Sequence, residues 1–253
     1  MECIPKIIHY CWFGNGAKSE KIKYCMESWK KFLPDYEIVE WNEDNFDVNI
    51  CAYTAQAYQM KRWAFVSDYA RLYALYHHGG IYLDTDVEIR KPLDDFLENS
   101  FFTGFEANDS PITAVMGAKK HNPHIEALLS QYKDRVFLKE DGAIDDTPNT
   151  IVITSYMLHK GILPSGKMQK KNGIVVYPQN YFCPNNFLRI AGRYPKETYA
   201  IHHCEQSWMD DPKKTSSLPM RFRRYLVGVG RNLFGTSVMY QTKQKVIGRI
   251  KKR

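Results

Sequence analysis

The chain has 253 residues, of which 44% are hydrophobic and 14% aromatic, and it carries a formal net charge of +7. This length and composition can bury a sizeable core, so they exclude a disordered or low-complexity chain and predict a globular protein. The sequence shows no run of 18 apolar residues and no charged and apolar leader. We therefore expect neither a membrane span nor a signal peptide.

The charge is unevenly distributed along the chain. Residues 212–253 contain 12 of the 35 Lys and Arg and no Asp or Glu, which leaves 23 basic and 28 acidic side chains in residues 1–211. We predict two domains, a mildly acidic body over 1–211 and a basic tail over 212–253. Apolar residues at helical spacing in the tail predict an amphipathic helix that lies on an anionic membrane surface. These are Phe222, Tyr225, Leu226, Val229 and Leu233.

The six cysteines have no CxxC spacing. This argues against a zinc ribbon and against a thioredoxin-like redox motif. Free thiols in a reducing cytosol are the simplest expectation.

The first part of the body predicts alternating strands and helices. A β-branched and aromatic segment at 4–13 predicts a strand, and apolar residues at helical spacing predict a helix over 19–33. A second strand is predicted at 36–41, a helix over 64–78, and a short apolar strand at 81–83. This order predicts an α/β fold with a mostly parallel sheet.

The second part of the body is less regular. We predict strands at 101–106, 112–118, 174–178 and 199–204, and helices over 123–137 and 151–159.

Two carboxylates follow the strand at 81–83, at Asp84 and Asp86. Like charges so close repel and raise each other's pKa unless a cation compensates them. Ligands of parallel sheets bind beyond the carboxyl ends of the strands, where these residues are expected. Oxygen ligands suit Mg²⁺ or Mn²⁺, which often share the phosphates of a substrate.

The stretch SDYARLYALYHHGGIYLDTDVEI (67–89) resembles the central signature of glycosyltransferase family 32. This family includes bacterial capsular and lipopolysaccharide sugar transferases, the yeast initiating mannosyltransferase and, more distantly, the clostridial glucosylating toxins. The resemblance extends to IPKIIHYCWFG (4–14) and to IHHCEQSW (201–208), and it leaves out the tail.

The resemblance implies the nucleotide-sugar-binding GT-A fold, which is Rossmann-like, and a set of site residues. Asp86 would bind the metal, with Asp84 at the ribose or a metal-bound water. Asp68 and Arg71 would hold hydroxyl groups of the donor sugar and ribose, and Trp12 would stack on the base. Asp84, Asp86 and Arg71 would then be the catalytic groups.

The last block implies further contacts to the metal and diphosphate. His203, Ser207 and Trp208 would close over them, with His203 as a metal ligand. Neighbours in a strand point to opposite faces, so at most one of His202 and His203 is expected at the metal. The choice among His202, His203 and Glu205 stays open.

The predicted function is a retaining, Mn²⁺- or Mg²⁺-dependent glycosyltransferase. The resemblance favours a UDP-sugar donor and a saccharide or lipid-linked saccharide acceptor in bacterial surface polysaccharide synthesis. We expect a cytoplasmic protein, peripheral on the inner membrane, with no nucleic-acid partner. No carboxylate nucleophile is assigned, although Glu106, Asp145 and Asp146 are predicted near acceptor-side loops.

Two alternatives are weaker. A sugar-nucleotide nucleotidyltransferase also needs a metal and an α/β sheet, but KIIHYCWFGNGAKS (6–19) lacks the expected glycine density. A basic-tailed adaptor for membranes or nucleic acid would explain the tail and leave the acidic body unexplained.

Overall fold

A computed structural model describes residues 3–107, 110–184 and 194–204. These residues belong to one compact unit, which spans Met1–Glu205. The predicted boundary at 211/212 and the predicted helical tail lie outside the described residues. Within the described ranges, no helix has both the length and the apolar character needed to cross a bilayer.

The unit alternates helices and strands. The helices are α1 (Glu20–Phe32), α2 (Ala52–Gln59), α3 (Trp63–His78), α4 (Pro123–Ser130), α5 (Asn149–His159) and the short α6 (Gln179–Phe182), with a 3-10 turn at Asp94–Phe96. The strands are β1 (Ile7–Cys11), β2 (Glu37–Trp41), β3 (Gly80–Leu83), β4 (Val87–Ile89), β5 (Phe101–Ala107), β6 (Ser110–Ala118), β7 (Gln169–Lys171), β8 (Ile174–Tyr177) and β9 (Ala200–His202).

Seven strands form the central sheet in the order β2-β1-β3-β6-β5-β8-β7. The pairs β2–β1, β1–β3 and β5–β8 are parallel, whereas β3–β6, β6–β5 and β8–β7 are antiparallel. Five strands therefore run in one direction, and β6 and β7 run against them. The prediction of an α/β fold with a mostly parallel sheet is confirmed.

Both faces of the sheet are covered. Alternate residues of β3 belong to different cores: Tyr82 packs with the aromatic side of α3, and Ile81 and Leu83 pack with the side that contains Trp29 of α1. This alternation follows from the period of two in a strand. It explains why the sequence of β3 is apolar throughout.

The turn from α3 into β3 depends on two glycines. Gly79 caps α3 by donating its N–H to the Leu75 carbonyl at 3.0 Å, and its φ is +68°. Gly80 has a φ of +106°, and a Cβ there would lie 2.7 Å from the Ile7 carbonyl oxygen. Only glycine fits so close to a neighbouring strand with this backbone conformation.

The helix predicted over 123–137 ends earlier, at Ser130. The chain then turns so that the Phe137 ring packs 5.4 Å from the Tyr53 ring. The Phe137 N–H donates to Gln56 Oε1 at 2.9 Å. Burial of this aromatic side chain thus overrides the helical periodicity of the sequence.

Candidate active site

Asp84 and Asp86 lie in the turn between β3 and β4. The Asp84 N–H donates to the Ala114 carbonyl at 2.9 Å, and the Val87 N–H donates to the Asp84 carbonyl at 3.0 Å. These backbone bonds fix the turn at the carboxyl end of β3. Both carboxylates therefore stand at the sheet edge where the sequence placed them.

Arg71 of α3 connects this turn to the helix. Its Nη2 lies 3.1 Å from Asp68 Oδ1 and 3.4 Å from Asp84 Oδ1. Its Nη1 donates to the Thr113 carbonyl at 3.1 Å, and the guanidinium lies over the Tyr82 ring at 4.6 Å. A planar fork of donors can satisfy these directions together, which a lysine ammonium could not.

Tyr82 also contributes to holding Asp84. Its hydroxyl donates to Asp84 Oδ1 at 3.0 Å. Asp84 is thus oriented by a phenol from its own strand and by the Arg71 guanidinium from α3. The family resemblance implied a role for Arg71 at the donor sugar, and no role was predicted for Tyr82.

Asp68 is nearly as enclosed as Arg71. Burial raises the pKa of Asp68 to about 6, although Arg71 opposes this shift and Asp84 adds to it. Asn149, at the start of α5, donates its side-chain N–H to the Asp68 carbonyl at 3.4 Å. Its side-chain oxygen is buried and makes no hydrogen bond among the described residues. Asn149 is 81 residues from Asp68 along the chain, so no local sequence pattern indicates this contact.

A second, two-stranded sheet completes the site. In it β4 pairs antiparallel with β9, with Val87 opposite His202 and Glu88 opposite Ile201. The His203 N–H donates to the Asp86 carbonyl at 3.1 Å, which extends the pairing to the acidic turn. This pairing places the described part of the last family block, residues 201–204, beside the carboxylates of the acidic turn.

The two histidines point to different partners. His202 Nε2 lies 3.4 Å from Asp86 Oδ1, and ligand atoms of Asp84, Asp86 and His202 lie within 4.8 Å of one another. His203 Nε2 lies 3.1 Å from Glu88 Oε2. The structure therefore places His202, where His203 was expected, beside the two aspartates, and metal binding by either histidine stays a prediction. Neighbouring residues of a strand point to opposite faces, so only one of the two rings can face the aspartates. The register between β4 and β9 makes this ring that of His202.

The charge states around this ladder follow from these contacts. The hydrogen bond from His203 holds the pKa of Glu88 below its usual range, against the effect of burial. Burial alone would lower the pKa of His202, but Asp86 and Cys204 raise it well above its usual value. The Asp86 carboxylate thus favours the charged form of the His202 ring that faces it.

Trp12 follows β1, at the same edge of the sheet. In the parallel pairing of β1 and β3, His9 lies opposite Tyr82, so Trp12 and Asp84 leave neighbouring strands at similar heights. The Trp12 indole donates to the Gly16 carbonyl at 2.7 Å, and Lys18 Nζ lies 5.2 Å from its ring. Stacking of Trp12 on a nucleotide base stays a prediction.

The remaining predicted residues lie partly outside the described part of the chain. Ser207 and Trp208 lie outside the described residues, as does Glu205. Asp145 pairs with Arg135 at 2.6 Å, and the charge of Arg135 also opposes the rise in the pKa of Asp68. Glu106 instead faces Cys204.

Residues 19–103 match the family model described as "Glycosyltransferase sugar-binding region containing DXD motif". Through this segment, about a third of its length, the chain is similar to that family. The match confirms the resemblance on which the sequence prediction rested. It covers Asp68, Arg71, Asp84 and Asp86, whereas Trp12 and His202 fall outside it.

Two relatives illustrate the range of similarity. The chain is 29% identical over 137 residues to "Inositol phosphoceramide mannosyltransferase 2" of Schizosaccharomyces pombe, which covers 50% of this chain and 37% of that protein. It is 26% identical over 220 residues to "Uncharacterized glycosyltransferase L373" of Acanthamoeba polyphaga mimivirus, covering 81% of this chain and 84% of the viral protein. The chain spans about a third of the length of the fungal mannosyltransferases that it matches, at 37%, 34% and 35%.

Among solved structures, "PaToxG Glycosyltransferase" is similar with a TM-score of 0.46 and 21% identity, over 62% of this chain and 69% of that chain. The galactosyltransferase LgtC, crystallised with donor and acceptor sugar analogues, gives a TM-score of 0.43 and 16% identity, over 86% and 99% of the two chains.

Proposed function

We propose that this chain is a metal-dependent, retaining glycosyltransferase of the GT-A type, which transfers a sugar from a nucleotide-diphosphate donor to a saccharide or lipid-linked saccharide. The observation that carries the proposal is the grouping of Asp84, Asp86 and His202 within 4.8 Å at the carboxyl end of β3. The family match of residues 19–103 supports the same reading.

Two carboxylates and one imidazole suit Mn²⁺ or Mg²⁺ completed by donor phosphate oxygens. Asp86 and His202 would hold the cation, with Asp84 beside it. When bound, this cation would stabilise negative charge on the departing diphosphate.

The other residues of the site would position the metal ligands and the donor sugar. Arg71 and Tyr82 keep Asp84 in one orientation, which limits the reorganisation needed when the donor binds. The enclosed carboxylate of Asp68 and the buried oxygen of Asn149 are acceptors for hydroxyl groups of the donor sugar. These contacts would orient the sugar against the acceptor hydroxyl.

The donor and the setting are further parts of the proposal. A UDP-sugar is our expectation from the family resemblance, with bacterial surface polysaccharide as the product. The fungal relatives are named as inositol phosphoceramide mannosyltransferases, which makes a lipid-linked acceptor the first class to test. The basic residues of 212–253 would hold the enzyme peripherally on an anionic cytoplasmic membrane surface.

The experiment is a screen of nucleotide sugars against the purified full-length chain with Mn²⁺ or Mg²⁺, read by thermal shift and donor hydrolysis. A donor at 100 times its Kd adds about 2.7 kcal/mol of stability. For a domain of this size this is roughly 5–10 °C in Tm. Only the fitting nucleotide should give this shift, and only with a divalent cation.

The decisive comparison uses two carboxylate variants. Asp86→Ala should lose the cation-dependent shift and the hydrolysis, whereas Asp134→Ala removes an exposed carboxylate and should retain both. Equal activity in the two variants would refute the site. Release of pyrophosphate from a nucleoside triphosphate and a sugar phosphate would instead identify a nucleotidyltransferase.

A further inference from the structure

A second group of metal-ligating side chains lies behind the acidic turn. Ligand atoms of Glu106, Cys183, His202 and Cys204 all lie within 4.8 Å of one another. Glu106 is on β5, Cys183 follows α6, and His202 and Cys204 are at the end of β9. Three segments that are far apart in sequence supply these residues, so their convergence is a property of the fold.

The distances within the group match those around a tetrahedral ion. Cys204 Sγ lies 3.3 Å from His202 Nδ1 and 3.6 Å from Glu106 Oε1. Bonds of about 2.3 Å to sulfur and about 2.0 Å to nitrogen or oxygen place tetrahedral neighbours roughly 3.5 Å apart. Binding an ion would therefore need only small side-chain movements.

The donor set differs from that of the acidic turn. Two thiols, an imidazole and a carboxylate favour Zn²⁺, whereas the aspartates favour hard cations such as Mg²⁺ and Mn²⁺. His202 belongs to both groups through different ring atoms, with Nε2 toward Asp86 and Nδ1 toward Cys204. The thiol group therefore lies on the opposite edge of the ring from the carboxylates.

The backbone at Cys204 is also unusual. Its φ is +53°, in the left-handed region that a residue with a Cβ rarely adopts. In this conformation the thiol reaches back to the His202 ring. Cys183 is buried, with only 5% of its surface exposed, so the second thiol is also sheltered from solvent.

We propose that Glu106, Cys183, His202 and Cys204 form a second cation site, selective for Zn²⁺ or a similar thiophilic divalent ion. On binding, both thiols and the Nδ1 of a charged His202 ring release their protons to solvent, and the two thiolates and Nδ1 bond to the ion. Nε2 then keeps its proton toward Asp86, so a cation in the acidic turn is held by Asp84 and Asp86 while this site is filled. The ion would link β5, the end of α6 and β9, and so fix the ring that faces Asp86. The site does not depend on the proposed glycosyl transfer.

The test uses Co²⁺ as a spectroscopic substitute for Zn²⁺, with the full-length chain stripped of metals and kept reduced by a phosphine. One equivalent of Co²⁺ should give thiolate-to-cobalt charge-transfer absorption, which Zn²⁺ should abolish by displacement. Cys183→Ser and Cys204→Ser should each weaken Zn²⁺ binding by more than about 100-fold, since the loss of a ligand exceeds the 10–100-fold cost of second-shell changes.

Two controls separate this site from other sites. Cys51→Ser removes a thiol in another part of the unit and should keep the full absorption. Asp86→Asn changes the partner of the far edge of the His202 ring, so it should lower the affinity by at most about 10–100-fold and keep the absorption at saturating Co²⁺, whatever it does to sugar transfer. If Cys204→Ser loses its fold by circular dichroism, Cys183→Ser decides. Absorption absent from the wild type, unchanged in the folded cysteine variants, or lost in Asp86→Asn overturns the proposal.

Discussion

Arg71 offers a sharp test of how the site is held together. Its side chain is 6% exposed, and its partners Asp68 and Asp84 are 14% and 26% exposed. Replacement by Met keeps much of the apolar stem and removes the charge. Breaking a buried ion pair by removing one partner costs about 3–5 kcal/mol, because the remaining charge stays buried without compensation.

The magnitude for Arg71→Met should lie near the upper end of this range. The guanidinium also bonds the carbonyls of Ser67 and Thr113, at 3.3 and 3.1 Å, and the loss of these two hydrogen bonds adds to the cost. At roughly 2–4 °C per kcal/mol, we expect Tm to fall by about 10–20 °C. Arg71→Lys keeps the positive charge but loses the planar set of donors, so its Tm should lie between those of the wild type and Arg71→Met.

The assay is thermal unfolding by circular dichroism at one scan rate and pH 7.5. Lys30→Met is the matched control, because Lys30 pairs with Glu27 at 2.8 Å on the surface with 64% of its side chain exposed. Such a pair contributes about 0–1 kcal/mol, so its Tm should hardly change. A Tm for Arg71→Met within about 2 °C of the control would refute the reasoning.

Three other predictions concern acid stability, the glycine turn and the tail. His9 accepts from Trp41 and contacts the Gly79 carbonyl at 2.7 Å, and burial, with a smaller effect of His78, lowers its pKa to about 4. As the pH falls, His9 is therefore protonated in the unfolded chain before it is protonated in the folded one. The free energy of unfolding should decrease by about 3 kcal/mol between pH 6.5 and pH 4. Urea unfolding at both pH values measures this loss, and in His9→Gln the free energy of unfolding should depend less on pH. An equal pH dependence in that variant contradicts the role of His9. Gly80→Ala should lower the free energy of unfolding by about 2–4 kcal/mol, because the backbone φ is positive and the new Cβ would meet the Ile7 carbonyl. Gly16→Ala has open space around it, so in the same assay it should lower the free energy of unfolding by less than about 1 kcal/mol. Deletion of 212–253 should abolish co-sedimentation with anionic vesicles while turnover on a soluble acceptor persists; unchanged binding would refute the role of the tail.

Much of the scaffold could be predicted because its signals are local. The apolar spacing of α1 and α3, the two glycines and the short apolar β3 each depend on neighbours within a few residues. The position of Asp84 and Asp86 after β3 follows from the same signals. Strand direction does not: nothing in 112–118 indicates that β6 runs antiparallel between β3 and β5.

The missed parts of the site depend on contacts between distant segments. β4 is three residues long and looks like a continuation of the acidic turn, so its pairing with β9 has no local signal. The alternation of side chains along a strand predicted that only one of His202 and His203 would face the carboxylates. Which of the two does so depends on the register between β4 and β9, which the sequence does not indicate. Cys183 and Cys204 are likewise joined only by the packing of α6 and β9.

The short ladder between β4 and β9 connects the family-matched segment to the rest of the candidate site. An isolated two-stranded ladder is marginal in water, so packing must stabilise it. Val87 and Ile89 have no exposed surface, and the Trp29 indole of α1 donates to the Val87 carbonyl at 2.7 Å. The Ser28 hydroxyl accepts from the Ile89 N–H at 2.8 Å. Helix α1 therefore fixes β4, β4 fixes the register of β9, and that register turns the His202 ring toward Asp86. The geometry of a site at the carboxyl end of β3 is thus set in part from the opposite side of β4, by a helix that contributes no ligand to it.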